Sequence, residues 1–403
     1  MRRYPVPLEP PFWARGGHAQ TILGHVLPTP GRALGPDQGD TRFEVALADG
    51  DTLVGYRCQR DPASSPWHAP DGRPVRAHLF HGLSGDANAD YIRLAAAALN
   101  ALGAEVLAFN HRGAGQGAGL ARGIYHSGRY DDVAAVLAAS RADAPDQLQL
   151  VVGFSLSGNA SLRLAAEWEH PSQPDLEWNG LAQPPDAILA LNPPIDLEDC
   201  SRRIQSGLNR LYQARFVRRL RRVLAERKRA FADFPPLSVP RGATLWDFDE
   251  RVTAPLGGFT DARDYYATCS TVERLDQIQV PTAILMTGDD PFVGAERLSE
   301  APRSESVHIH IEETGGHVGY LTKSGPLGYR AWLEGAIAHY AIELVQTASP
   351  ETEPARSPSG SFTRNQTRSV GATSAGTPME GSAADGEPTG KSRTNESNSG
   401  KSR

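Results

Sequence analysis

The run Val151-Val152-Gly153-Phe154-Ser155-Leu156-Ser157-Gly158-Asn159 closes an apolar, strand-like stretch with Gly-x-Ser-x-Ser-Gly and passes at once into a helical pattern. A serine on such a sharp strand-to-helix turn exposes its hydroxyl at the carboxyl end of a sheet, where it can attack an acyl carbon. The flanking residues are small because the turn leaves no room for larger ones. Ser157 stands where a second glycine is usual, a mild departure, with Gly158 directly behind it. A serine hydroxyl at its free pKa is a weak nucleophile and needs a base. On this kind of turn the partners follow in the order serine, carboxylate, histidine. Downstream, a strand-like run at 282–286 leads into Thr287-Gly288-Asp289-Asp290-Pro291-Phe292-Val293. Another, at 307–311, leads into Glu312-Glu313-Thr314-Gly315-Gly316-His317-Val318-Gly319. The expected constellation is Ser155 as nucleophile, His317 as general base and an aspartate orienting the imidazole. Asp289 and Asp290 are both candidates for that carboxylate. The frame Asp-Pro-Phe-Val suits the acid in its first position and favours Asp290, leaving Asp289 to support the turn.

The oxyanion that forms on the attacked carbonyl needs backbone donors. One candidate is the N–H of Leu156, the residue after the nucleophile. The other is the N–H of Leu83 in Leu79-Phe80-His81-Gly82-Leu83-Ser84-Gly85, where Gly82 permits close backbone approach. Gly113-Ala114-Gly115-Gln116-Gly117-Ala118-Gly119 also follows a strand, but it lacks the Gly-x-Gly-x-x-Gly spacing and a following helix, so it reads as a loop beside the site and not as a nucleotide cradle. His81, His111 and His126 show no metal-ligand spacing. Neither a cofactor nor a metal is expected.

These residues need a scaffold. A hairpin is expected at 43–47 and 53–57 around Asp49-Gly50-Asp51. Strands are expected at 75–80, 105–109, 148–153, 187–191, 282–286 and 307–311. Helices are expected at 91–102, stopped by Gly103, then at 130–140, 159–168 and 329–345. Strand and helix in alternation predict an α/β fold with a mostly parallel sheet covered on both faces. The stretch 194–277 interrupts that rhythm with helical patterns and reads as a cap inserted between two strands. Within it, 201–228 carries ten Arg and Lys against the single acid Glu226. Leu208, Leu211, Tyr212, Val217, Leu220 and Leu224 form an apolar stripe at helical spacing. That basic face is either simply solvated or a contact for an anionic lipid surface or substrate group.

The domain is expected to run from 1 to 348. Residues 349–403 shift to Ser, Thr, Gly, Pro and Asn and read as a disordered polar tail. Gly390-Lys391-Ser392 within it lacks the glycine spacing and preceding strand of a phosphate-binding loop. With 39% apolar and 22% charged residues, the composition is that of a soluble globular protein, and a net charge of −6 gives nucleic acid no global attraction. Cys58, Cys200 and Cys269 are too few and scattered for a disulfide framework. Pro5, Pro7, Pro10 and Pro11 break any signal-peptide core, and no run reaches the roughly 18 apolar residues of a membrane span. A cytoplasmic location is the expectation.

The chain resembles the YheT-like esterase branch of the α/β-hydrolases, a group that includes yeast ethanol acyltransferases and a mammalian phospholipase. The resemblance runs from about residue 10 to 340. It rests on Trp13-Ala14-Arg15-Gly16-Gly17-His18-Ala19-Gln20-Thr21, His81-Gly82-Leu83-Ser84-Gly85, Asn110-His111-Arg112-Gly113 and Ile124-Tyr125-His126-Ser127-Gly128. It continues through Gly153 to Asn159, Asp247-Phe248-Asp249, Asp264-Tyr265-Tyr266, Asp289-Asp290-Pro291-Phe292 and Gly315-Gly316-His317-Val318-Gly319. It implies an α/β-hydrolase fold, the triad Ser155, Asp290 and His317, and hydrolysis of short- to medium-chain carboxylic esters through an acyl-enzyme. An alcohol acyltransferase using the same acyl-enzyme is the alternative. A silent binding module is a third reading, which the presence of all three triad residues disfavours. The expected partner is a small-molecule ester or lipid.

Overall fold

A computed structural model describes residues 1–169 and 180–349. The expected tail beyond Ser349, with Gly390-Lys391-Ser392, lies outside the described residues.

The chain opens with α1 (Gly17–Val26), followed by β1 (Thr41–Ala46), β2 (Thr52–Arg57), β3 (Val75–Phe80), α2 (Asp90–Ala101) and β4 (Glu105–Asn110). Then come α3 (Tyr130–Asp143), β5 (Leu148–Phe154), α4 (Leu156–Glu169) and β6 (Ala187–Leu191). Between β6 and the next strand lie α5 (Leu197–Ile204), α6 (Asn209–Ala230), α7 (Leu245–Phe248), a π-helical turn (Asp249–Thr253), α8 (Ala254–Gly257) and α9 (Ala262–Cys269). β7 (Thr282–Thr287), α10 (Ala295–Glu300), β8 (Val307–Glu312), β9 (Leu321–Ser324), β10 (Gly328–Ala331) and α11 (Trp332–Ala348) complete it. Among the described residues no helix is long and apolar enough to cross a membrane.

Eight strands form one sheet in the order β1-β2-β4-β3-β5-β6-β7-β8. β1 and β2 are antiparallel, as is the β2–β4 pair, and the other neighbours are parallel. β5, β6 and β7 are buried throughout inside the sheet and read as near-continuous apolar runs, whereas the edge strand β8 is half-buried, with His308 and His310 alternating with Ile309 and Ile311. Their period of two divides the core: Leu79, Leu150, Val152 and Leu189 pack with Ile92, Leu99, Ile337 and Leu344 of α2 and α11. Phe80, Val151, Ile188 and Ile284 pack on the other face with Val133, Leu137, Leu162 and Ala165 of α3 and α4. Gly103 ends α2 at φ 89°, and a Cβ there would lie 1.9 Å from the Ser65 carbonyl oxygen.

Three expectations shift. The last helix begins at Trp332, because 321–331 folds into the β9–β10 hairpin, with Tyr329 opposite Lys323. α4 begins at Leu156 and not at 159, so the turn at Ser155 is itself the helix start. The basic stretch 201–228 is two helices, broken before Asn209 with Gly207 at φ 49°. Of its expected apolar stripe, Val217, Leu220 and Leu224 are buried, whereas Leu208 and Leu211 are exposed.

Arg112, buried just past β4, joins three elements: it bonds Asp132 at the start of α3 through Nε and Nη2, and both Asp49 and Asp51 in the β1–β2 turn through Nη1. Breaking such a buried pair leaves uncompensated charge. Arg112→Leu is expected to lower unfolding free energy by about 3–5 kcal/mol, read from the urea midpoint; a loss under about 1 kcal/mol would show that the cluster does not hold these elements.

Candidate active site

The nucleophile candidate sits where local geometry is strained. Ser155 adopts φ 52° between β5 and α4, a left-handed conformation that non-glycine residues keep only where surroundings enforce it. Its N–H donates to the Leu191 carbonyl at the end of β6, 2.8 Å away. A Cβ at Gly153 would meet the Ser157 carbonyl oxygen at 2.5 Å, so the turn closes only with glycine there. Ser157 is fully buried, and its hydroxyl donates to the His81 carbonyl at 2.5 Å and lies 2.6 Å from His111 Nε2. These bonds satisfy the extra hydroxyl and accommodate the departure from glycine. They also show what His81 and His111 do: they brace the turn from beneath.

His317, in the loop after β8, places Nε2 2.9 Å from Ser155 Oγ and Nδ1 2.8 Å from Asp290 Oδ2. The carboxylate can only accept, so Nδ1 carries the proton and Nε2 faces the hydroxyl as an acceptor. Asp290 follows β7. Its Oδ1 accepts the N–H groups of Phe292 and Val293, and its Oδ2 also accepts from Asn192 Nδ2 at 2.8 Å. Asp289 turns away; its Oδ1 accepts the Gly316 N–H at 2.9 Å, and burial raises its pKa. The two adjacent acids therefore do different work: one faces the imidazole, the other ties the acid loop to the histidine loop.

Sequence reasoning missed Asn192. It follows β6 at φ 48°, is fully buried, donates to Asp290 and accepts from the Tyr320 hydroxyl at 2.9 Å. The available signal was an Asn-Pro pair straight after a buried strand, a residue type that tolerates the left-handed region. The amino-terminal segment was also without a role. Thr21 Oγ accepts the His317 N–H at 2.9 Å and donates to the Gly17 carbonyl. Gln20 is buried, donates to the Ala14 and Leu321 carbonyls and accepts the Leu321 N–H. α1 thus clamps the histidine loop from outside the sheet.

The loop after β3 runs beside Ser155; a Cβ on Gly82 would lie 3.0 Å from Ser155 Cβ. The Gly82 and Ser84 N–H groups donate to the hydroxyls of Tyr91 and Tyr125 at 3.0 and 2.8 Å. Between them, the Leu83 N–H has no acceptor among the described residues, and neither does that of Leu156, the first residue of α4. The positive end of the helix dipole adds to the potential there. Two chambers meet at Ser155 and His317. One is mainly apolar, lined by Leu156, Phe216, Leu220, Phe248 and Val252. At its wall the buried Asp249 accepts from Tyr266 and Thr253, and burial raises its pKa to about 6. The other chamber opens between α1 and α6.

The sequence profile of the alpha/beta hydrolase family matches residues 79–326. The Escherichia coli protein YheT, an esterase by name, is 30% identical over 76% of this chain and 85% of its own. Monoacylglycerol lipase of Saccharomyces cerevisiae is 24% identical over 73% of this chain and 68% of its own. Medium-chain fatty acid ethyl ester synthase/esterase 2 of the same yeast is 25% identical over 65% of this chain and 60% of its own.

Burial lowers the pKa of His111 to about 4, and it also lowers that of His81. In the unfolded chain these imidazoles titrate near ~6.5. Between those values the unfolded state binds more protons, so their stabilising effect is complete above about pH 6.5 and is lost as pH falls toward about 4. For His111 this is worth roughly 3 kcal/mol over that window. His111→Gln is expected to flatten the fall in unfolding free energy between about pH 6.5 and 4; a slope equal to that of the wild type would contradict the neutral, buried imidazole.

Proposed function

The chain belongs to the alpha/beta hydrolase family, and we propose that it is a serine hydrolase cleaving short- to medium-chain carboxylic esters through an acyl-enzyme on Ser155. The observation that carries this reading is the continuous set of contacts from Ser155 Oγ to His317 (2.9 Å) to Asp290 (2.8 Å) beside an apolar chamber. His317 Nε2 takes the Ser155 proton as Oγ attacks the ester carbonyl. The Leu83 and Leu156 N–H groups receive the oxyanion. Asp290 holds the imidazole tautomer and stabilises the imidazolium. The imidazolium then protonates the leaving alcohol, and water attacks the acyl-enzyme by the same route in reverse. The apolar chamber suits the acyl chain, and the lipase and esterase names of the relatives support an ester substrate.

The second chamber at Ser155 favours one further reading. It lets an alcohol reach the acyl-enzyme and compete with water, giving acyl transfer, an activity in keeping with the synthase/esterase name of one relative. Hydrolysis of a p-nitrophenyl ester series of rising chain length, with and without ethanol, tests both. Turnover that peaks at intermediate chain length supports the esterase reading, and ethyl ester formed in proportion to ethanol supports transfer. Absence of turnover on every ester refutes both.

Ser155→Ala is expected to fold and to lose on the order of 10⁶ in kcat, with no labelling by a fluorophosphonate probe. A folded variant keeping a tenth of wild-type activity would overturn the assignment. Asp290→Asn is expected to lose roughly 10⁴ in kcat. Asp289→Asn, compared at equal folded fraction, should act mainly through stability, at about 1 kcal/mol. The reverse order would exchange the roles of the two acids.

A further inference from the structure

α6 is the most concentrated positive charge on a chain whose net charge is −6. Arg210, Arg215, Arg218, Arg219, Arg221, Arg222, Arg227, Lys228 and Arg229 face the single acid Glu226. Among the described residues none of these nine cations pairs with a carboxylate. Where they bond to the protein, they bond to backbone carbonyl oxygens, as Arg219 does to Ser84, Arg221 to Pro240 and Arg227 to Gly123. Elsewhere in the same fold arginines such as Arg76 and Arg112 are matched with acids. Apart from the buried Arg227, the α6 charge is therefore left for something outside the chain.

Its arrangement narrows what that is. Leu208, Leu211, Arg215, Arg218 and Arg222 follow one another at steps of three and four, one line along the helix, opposite the buried Gln213, Val217, Leu220 and Leu224. Leu208 and Leu211 are 65% and 74% exposed. α1 reaches α6 through His18, whose ring stacks on Tyr212 with Nδ1 3.2 Å from the hydroxyl. On α1, Ile22 and Val26 are 50% and 70% exposed. Both line the chamber that opens onto Ser155, together with Tyr212, Arg215 and Arg219. Aliphatic side chains and unmatched cations thus surround the mouth of the route to the nucleophile.

We propose that this face of α1 and α6 docks on an anionic lipid surface and presents the open chamber to it. Phospholipid headgroups supply the negative charge, and the boundary below them takes the exposed Leu, Ile and Val side chains. A nucleic acid would use the charge and leave the aliphatic groups in water. A second copy of the chain would set two cationic helices against each other. Docked in this way, an ester held in the lipid layer enters the chamber without first crossing water. The proposal goes beyond ester hydrolysis and does not depend on it.

The test is sedimentation of the full chain with phosphatidylcholine vesicles, with and without about a quarter phosphatidylglycerol, run on the wild type and on Ser155→Ala. Sedimentation needs no turnover, so a failure of the hydrolase reading leaves this readout intact. Both proteins are expected to bind the anionic vesicles, to bind the neutral ones far less and to be released by high salt. Arg218→Glu with Arg222→Glu should weaken binding on the order of 100-fold. Leu208→Ser with Leu211→Ser should also weaken it. These four positions are exposed and line neither chamber, so melting temperature and turnover of soluble p-nitrophenyl butyrate should match the wild type. Equal binding to neutral vesicles, no binding to either kind, or a doubly reversed variant that binds as tightly as the wild type would overturn the proposal. So would a concentration-dependent dimer that the leucine variants dissociate.

Discussion

The imidazole of His317 has to be held through both ring nitrogens at once, with Nδ1 on a carboxylate and Nε2 toward the Ser155 hydroxyl, and no single segment can do that. Ser155 comes from the end of β5, Asp290 from the end of β7 and His317 from the loop after β8. A parallel sheet is the economical solution, because it brings the carboxyl ends of separate strands to one edge. The remaining polar contacts at that edge serve the same constraint. Asp290 is fixed by two backbone N–H groups and by Asn192 before it meets the imidazole. Thr21 and Gln20 then hold the histidine loop from α1, some 300 positions away in sequence.

What could be read from the chain follows from how local each signal is. The turn at Ser155 is legible because strain, small neighbours and the change from a period of two to a helical period all fall within nine residues. The places of Asp290 and His317 were legible because each follows a strand-like run, β7 and β8. The Asp-Pro-Phe-Val frame points to Asp290, and in the structure that residue faces His317. Asn192, Thr21, Tyr91 and Tyr125 were not legible, since each acts on a partner distant in sequence and none stands out by type. Periodicity misled at Leu208 and Leu211: the step from Leu211 and Tyr212 to Val217 leaves the three-four repeat, so these two leucines lie on the exposed side, opposite Val217, Leu220 and Leu224. It also merged β10 with α11, because two four-residue strands are too short to display alternation.

The same edge of the sheet explains the two environments at Ser155. On one side, α6 and its neighbouring helices border a mainly apolar chamber whose wall includes Leu83 and Leu156. On the other, α1 and α6 leave an opening edged by arginine and aliphatic side chains. α6 therefore serves twice: its buried stripe lines the chamber, and its opposite face carries unmatched charge to the surface. The Ser157 hydroxyl, a departure from the usual glycine in the turn, joins the His81–His111 pair that supports the turn at Ser155 from below.

The central claim is that a covalent acyl group passes through Ser155, and trapping it is the most direct measurement. The protein is mixed with a p-nitrophenyl ester, quenched in acid during the first turnover, digested and mapped by mass. The account predicts the mass of the acyl group on the peptide containing Ser155, localised by fragmentation to that residue and removed by hydroxylamine. Acyl transfer to Ser157 or Ser84, or steady turnover with no acyl group on Ser155 at any quench time, would contradict it.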